Sequence, residues 1–130
     1  MTMTGWILAI LALFFVQTYL PSAMRAASRE PEQIDYLRSN RDTPPPPPVM
    51  AGRMDRALRN LLEALPVFLP LALLVEIHDI TGGWSYTGAA VFFFARLAYV
   101  PAYAIGIPLL RSAVWTIGHA GLVMMVVGLY

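Results

Sequence analysis

The 130-residue chain has no cysteine and no lysine. Without cysteine there is no disulfide, no thiolate metal site and no thiol nucleophile of its own, so thiol chemistry would need a thiol brought in by a ligand. Charge is scarce as well. Only 13% of residues are charged, against roughly 25% in a soluble domain. Apolar residues make up 58%. That leaves too little polar material to cover a globule of this size, and the surface must meet something other than water. Nine basic residues, all arginine, nearly balance eight acidic ones, so there is no electrostatic basis for a nucleic-acid partner. The Glu-x-x-His pairs of carboxylate-bridged metal bundles are missing too. Glu76 and His78 are two apart and His119 stands alone, so no metal is expected. His119 reads most simply as a helix-to-helix hydrogen-bond donor.

Four apolar segments fill most of the chain: 5–24, 57–77, 87–110 and 112–130. Each is long enough for a spanning helix, which needs about 20 residues. Only helices or closed barrels satisfy backbone polar groups in lipid. Barrel strands would alternate polar and apolar residues, and these segments do not. An all-α integral membrane domain of four transmembrane helices is therefore expected over residues 1–130. The first apolar core, Trp6–Val16, has signal-peptide length, but no basic residue precedes it, so it reads as the first span.

The connections differ sharply. Residues 25–52 form one polar stretch that includes five consecutive prolines, Pro44–Pro48. A proline run lacks amide donors and favours an extended left-handed helix, so it reads as a stiff strap outside the hydrocarbon. Seven of the nine arginines lie between Arg25 and Arg59, and Arg111 falls at the third connection. The positive-inside rule then puts the first and third connections in the cytoplasm and both termini on the other side.

Two polar stripes stand out. Arg53, Arg56, Asn60 and Glu63 recur at helical spacing at the start of segment two, which places them on one face. An ionised carboxylate in hydrocarbon is costly unless paired, so this face must turn toward another helix or a ligand. Arg59 points elsewhere. Arg96, Tyr99 and Tyr103 form a second stripe on segment three. Arg96 lies about 18 Å from Pro108 along the axis, at 1.5 Å per residue, too deep for an easy snorkel. The expected partner is Glu63. Three readings of these stripes stay open: a polar network that specifies packing, a ligand site, and a transport path.

The spacing resembles the MAPEG family, the membrane-associated proteins in eicosanoid and glutathione metabolism, over nearly the whole chain. The family pattern is an arginine followed by R-A-x-x-N-x-x-E-x-x-P, matched here by Arg53, then Arg56, Ala57, Asn60, Glu63 and Pro66. The F-A-R-x-x-Y-x-x-x-Y stretch is matched by Phe94, Ala95, Arg96, Tyr99 and Tyr103. The resemblance implies a homotrimer of four-helix subunits in the cell inner membrane. It implies glutathione as co-substrate, held by Arg56, Asn60, Glu63, Tyr99 and Tyr103, with Arg111 as the catalytic arginine that favours the thiolate. Arg96 and Pro66 would be structural. The implied partners are further copies of the chain, lipids and a lipophilic small molecule. The implied activity is a glutathione-dependent transferase or peroxidase acting on a lipophilic electrophile. The alternative is a non-catalytic integral membrane protein with a structural or lipid-binding groove. The sequence departs from the pattern in three places. Arg111 is one residue further from Tyr103 than in leukotriene-synthase types, Ala64 stands where tyrosine is common, and Gly52 where an acid is common.

Overall fold

A computed structural model describes residues 1–130. It contains five helices: α1 (Met3–Ala27), α2 (Pro31–Arg38), α3 (Val49–Ile77), α4 (Gly83–Ile105) and α5 (Pro108–Val127). All but α2 are long and apolar enough to cross a membrane. Only 26 of 130 residues are buried. The outer faces carry Leu8, Phe15, Leu73, Phe94 and Val123 in the open, as a lipid-facing surface requires. The chain is a multi-pass membrane protein built as an all-α bundle.

The helix ends follow local chemistry. The Thr2 hydroxyl accepts from Gly5 N at 3.0 Å and caps α1. Glu76 Oε1 accepts from Thr4 N at 2.7 Å and from Thr4 Oγ1 at 2.8 Å. That sets a carboxylate at the positive end of α1 and ties it to the end of α3. α4 stops five residues earlier than its hydropathy suggests. Gly106 adopts φ +79, the left-handed conformation of a helix stop, and Pro108 then opens α5. Arg111 consequently sits in the first turn of α5, not in a connection. α3 begins at Val49, eight residues ahead of the expected span, because Pro48 is the last residue of the strap and nothing after it breaks the helix.

Residues 25–52 also hold α2, a short helix ahead of the proline run that their polar composition does not announce. Pro31 sits in its first turn, where a missing amide costs nothing. Gln33 is 2% exposed; its Nε2 donates to Pro46 O at 2.8 Å, and its Oε1 accepts from Arg25. The proline run is thereby fastened against α1 and α2.

α3 packs on α1 and α4, α5 packs chiefly on α4, and α1 does not touch α5. The core between them is apolar. Phe68 and Phe92 stack with centroids 4.7 Å apart, among Ile10, Leu61, Val75 and Met125. Pro66 and Pro70 lie inside α3, where each removes one amide donor and frees a carbonyl one turn back.

α4 and α5 approach closely because glycines face each other. A Cβ added to Gly121 would stand 2.7 Å from Gly88 O and 2.8 Å from Phe92 N. Both are backbone atoms, so the helices would have to separate. Small residues permit such contact in membranes. Gly121→Val is expected to destabilise the bundle by about 1–3 kcal/mol, the usual cost of overpacking. Unfolding in graded denaturing detergent measures it, and parent-like stability would show that the pair is looser than this.

Candidate functional site

The polar stripes meet at the end of the bundle where α3 and α5 begin and α4 finishes. Helical spacing puts Arg53, Arg56 and Asn60 on one face of α3, and Arg96, Tyr99 and Tyr103 on one face of α4. α5 adds Arg111, Ser112, Trp115 and Thr116 from its first three turns. Two adjoining cavities result. One, of about 160 Å³, lies between Arg53, Arg56, Tyr103, Gly106 and Arg111. The other, of about 470 Å³, is lined by Asn60, Tyr99 and Trp115 together with the shared Arg56, Tyr103 and Arg111. They form one open basin.

Its geometry is set by arginine. Arg53 Nη1 donates to Ala104 O at 2.8 Å, which satisfies a free carbonyl at the end of α4. Gly106 makes room for it, since an added Cβ would lie 2.7 Å from Arg53 Nη2. Arg56 Nε donates to Tyr103 Oη at 2.9 Å. The Arg56 and Arg111 guanidiniums lie 5.6 Å and 5.2 Å from the Tyr103 ring centre, within cation–π range. Tyr99 meets Tyr103 edge-on at 5.6 Å.

No carboxylate answers this charge. The one ion pair in the structure joins Arg59 to Asp55 at 3.0 Å, and neither residue lines the basin. Arg53, Arg56 and Arg111 therefore bring three positive charges to one basin, most of their donors unspent. The N-terminal amides of α5 add a further positive end. Such an arrangement suits an anion with more than one acidic group, held by charge-assisted hydrogen bonds.

Below the basin, Arg96 is 2% exposed. The expected Arg96–Glu63 ion pair is absent. Arg96 Nη1 donates instead to Asn60 Oδ1 at 2.7 Å, and its guanidinium lies 4.5 Å from the Tyr99 ring centre. Its Nε and Nη2 have no partner. Arg96 meets α3 at Asn60, three residues before Glu63. Asn60 therefore takes the role expected of the carboxylate, and Glu63 accepts nothing from Asn60, Arg56 or Arg96. Glu63 is exposed and lies outside the arginine basin. His119 bonds within its own helix, Nδ1 to Trp115 O at 3.0 Å, rather than to a neighbour.

The structure thus brings together Arg56, Asn60, Tyr99, Tyr103 and Arg111 from the sequence set and leaves Glu63 aside. Arg53, Ser112, Trp115 and Thr116 join the lining without having been singled out as site residues. Arg53 had a usable signal, because it shares the stripe of Arg56. The i, i+1, i+4 and i+5 positions from Arg111 could be placed only once α5 was known to start at Pro108.

The family model described as MAPEG family matches residues 3–130. No curated protein and no solved structure matches the chain.

Proposed function

Since the chain belongs to the MAPEG family, we propose that it is a glutathione-dependent membrane transferase or peroxidase acting on a lipophilic electrophile. The observation that carries this reading is the convergence of Arg53, Arg56 and Arg111 on one open basin without a carboxylate. Glutathione has two carboxylates and a thiol. Arg53 and Arg56 suit the carboxylates, with the Asn60 amide and the Tyr99 and Tyr103 hydroxyls as neutral partners. Arg111 makes no side-chain hydrogen bond in the chain and is free to stand beside the thiol. A nearby cation favours the thiolate, which is the nucleophile.

In transfer, the thiolate sulfur attacks an electrophilic carbon. A carbon–sulfur bond forms, and the leaving group departs with the electron pair. In hydroperoxide reduction the thiolate attacks the distal oxygen and the O–O bond breaks. The alkoxide takes a proton to become the alcohol, and a second glutathione converts the sulfenic acid to the disulfide and water. The arginines position and neutralise charge in both cases. The test is turnover by purified protein with glutathione and either chlorodinitrobenzene or cumene hydroperoxide. Glutathione-dependent product is expected with at least one. No product above the buffer rate with either would leave the groove structural or lipid-binding.

On the same reading the basin faces the cytoplasm and both termini the opposite side of a cell inner membrane, because Arg25–Arg59 and Arg111 share one end of the bundle. The chain has no natural cysteine, so Asn40→Cys and Thr81→Cys can each be labelled alone. Labelling of the first only after the cytoplasmic face is opened, and of the second in intact cells, is expected; the reverse pattern sinks this orientation. A homotrimer would close the open side of the basin. Glutathione is the co-substrate in this reading, and lipid supplies the second one.

A further inference from the structure

Three of the four spanning helices close their own C-terminal ends. Ser28 N donates to Met24 O at 3.2 Å, His78 N to Leu74 O at 3.0 Å and Gly128 N to Met124 O at 3.0 Å. α4 does not. Neither Gly106 N nor Ile107 N donates to a backbone carbonyl. The helical partner of Ala104 O would be the amide of Pro108, four residues on, and proline carries no N–H. Arg53 takes that place from α3, its Nη1 donating to Ala104 O at 2.8 Å. Gly106 lets the guanidinium lie against the turn. A Cβ there would stand 2.7 Å from Arg53 Nη2 and 2.9 Å from both Cζ and Nη1. Its φ of +79 is also one that residues with a side chain rarely adopt.

The start of α5 depends on this turn. The buried residues of α5 are Gly118, Gly121, Leu122 and Met125. None lies in 108–117. From Gly118 onward α5 is locked to α4 by the close glycine crossing. Ahead of it, the hydrogen bonds of Thr116 to Ser112 O and of His119 to Trp115 O stay within α5. The polar contact across to α4 is the Arg111 guanidinium over the Tyr103 ring, at 5.2 Å. The first half of α5 is therefore held from its two ends, at Gly118 and at the turn that Arg53 closes. Arg111 belongs to that half and lies in the turn of helix next to Pro108.

We propose that Arg53 is a positioning residue: by closing the end of α4 from α3 it anchors the first half of α5 and keeps Arg111 aimed into the basin. The consequence for a thiol rests on the proposed function; the anchoring does not. Arg53 Nη1 is spent on Ala104 O, and Nε and Nη2 make no hydrogen bond within the chain. A ligand carboxylate on those free donors braces the same turn. Binding at one end of the tripeptide and activation of its thiol are then joined through the α4–α5 backbone.

The full-length Arg53→Gln variant in mild detergent tests both parts. Without glutathione, deuterium exchange of the backbone amides in 109–117 is expected to rise on the order of tenfold over the parent, as local opening becomes easier. Residues 118–127 should exchange at the parent rate. Gly106→Ala, which pushes the guanidinium aside and keeps its charge, should give the same pattern, and it decides alone where Arg53→Gln does not fold. With glutathione bound, the pH midpoint of thiolate absorbance should move up in Arg53→Gln toward that of Arg111→Ala, and the double variant should go no further. A carboxylate contact alone would raise Kd and leave the midpoint in place. Parent-like exchange in 109–117, or a rise spread evenly over the bundle, overturns the anchoring. An unmoved midpoint in a variant that still binds overturns the link to Arg111. If the parent binds no glutathione, the proposed function fails and the exchange pattern still decides whether Arg53 anchors α5.

Discussion

Arg111→Ala is expected to lower kcat/KM for thiol transfer by about 10²–10³-fold, the effect of removing one group that stabilises developing negative charge. The fold should survive, because Arg111 makes no hydrogen bond through its side chain and contacts Tyr103 only by cation–π geometry at 5.2 Å. Glutathione affinity should fall less than turnover, since this arginine is placed at the thiol and not at the carboxylates. Arg56→Ala should show the converse. Its charge-assisted hydrogen bonds contribute about 1.5–3 kcal/mol, so Kd should rise by roughly ten- to a hundredfold while saturated turnover falls less. Steady-state kinetics and binding on both variants separate the roles. Equal losses of affinity and turnover in both would mean that the arginines act as one undivided charge.

The second large effect concerns stability. Asn60→Leu removes the one acceptor of a guanidinium that is 2% exposed and already has two unpaired nitrogens. The loss should be at least about 1.5–3 kcal/mol, the contribution of a hydrogen bond to a charged group. Replacing both partners is a different matter. Apolar residues of similar volume often restore a buried polar pair to neutrality, so Asn60→Leu with Arg96→Met should recover most of the loss. A double-mutant cycle in graded denaturing detergent gives the coupling. Additive losses would show that Arg96 is held by Tyr99 and the surrounding packing rather than by Asn60.

How far the sequence could be read depended on whether a feature is local. The four spans were legible because hydropathy over 20 residues is a property of one helix at a time. The arginine and tyrosine stripes were legible for the same reason, since spacings of three and four fix a face. Pairing between stripes was not. Periodicity places Asn60 and Glu63 on the same side of α3 but does not say which rung meets Arg96, and charge complementarity favoured the wrong one. α2 was hidden by its mixed composition beside five prolines. The end of α4 was missed because hydropathy runs on through Gly106 to Leu110, while backbone conformation does not.

Calorimetric titration of the purified full-length chain with glutathione, followed by ultraviolet absorbance of the bound thiolate, tests the arginine basin most directly. Saturable binding is expected, with thiolate absorbance that disappears in Arg111→Ala while binding persists. The absence of heat and of thiolate absorbance at millimolar glutathione, in a preparation that remains folded, would contradict a thiol-activating site and leave Arg53, Arg56 and Arg111 as a packing or headgroup-binding feature.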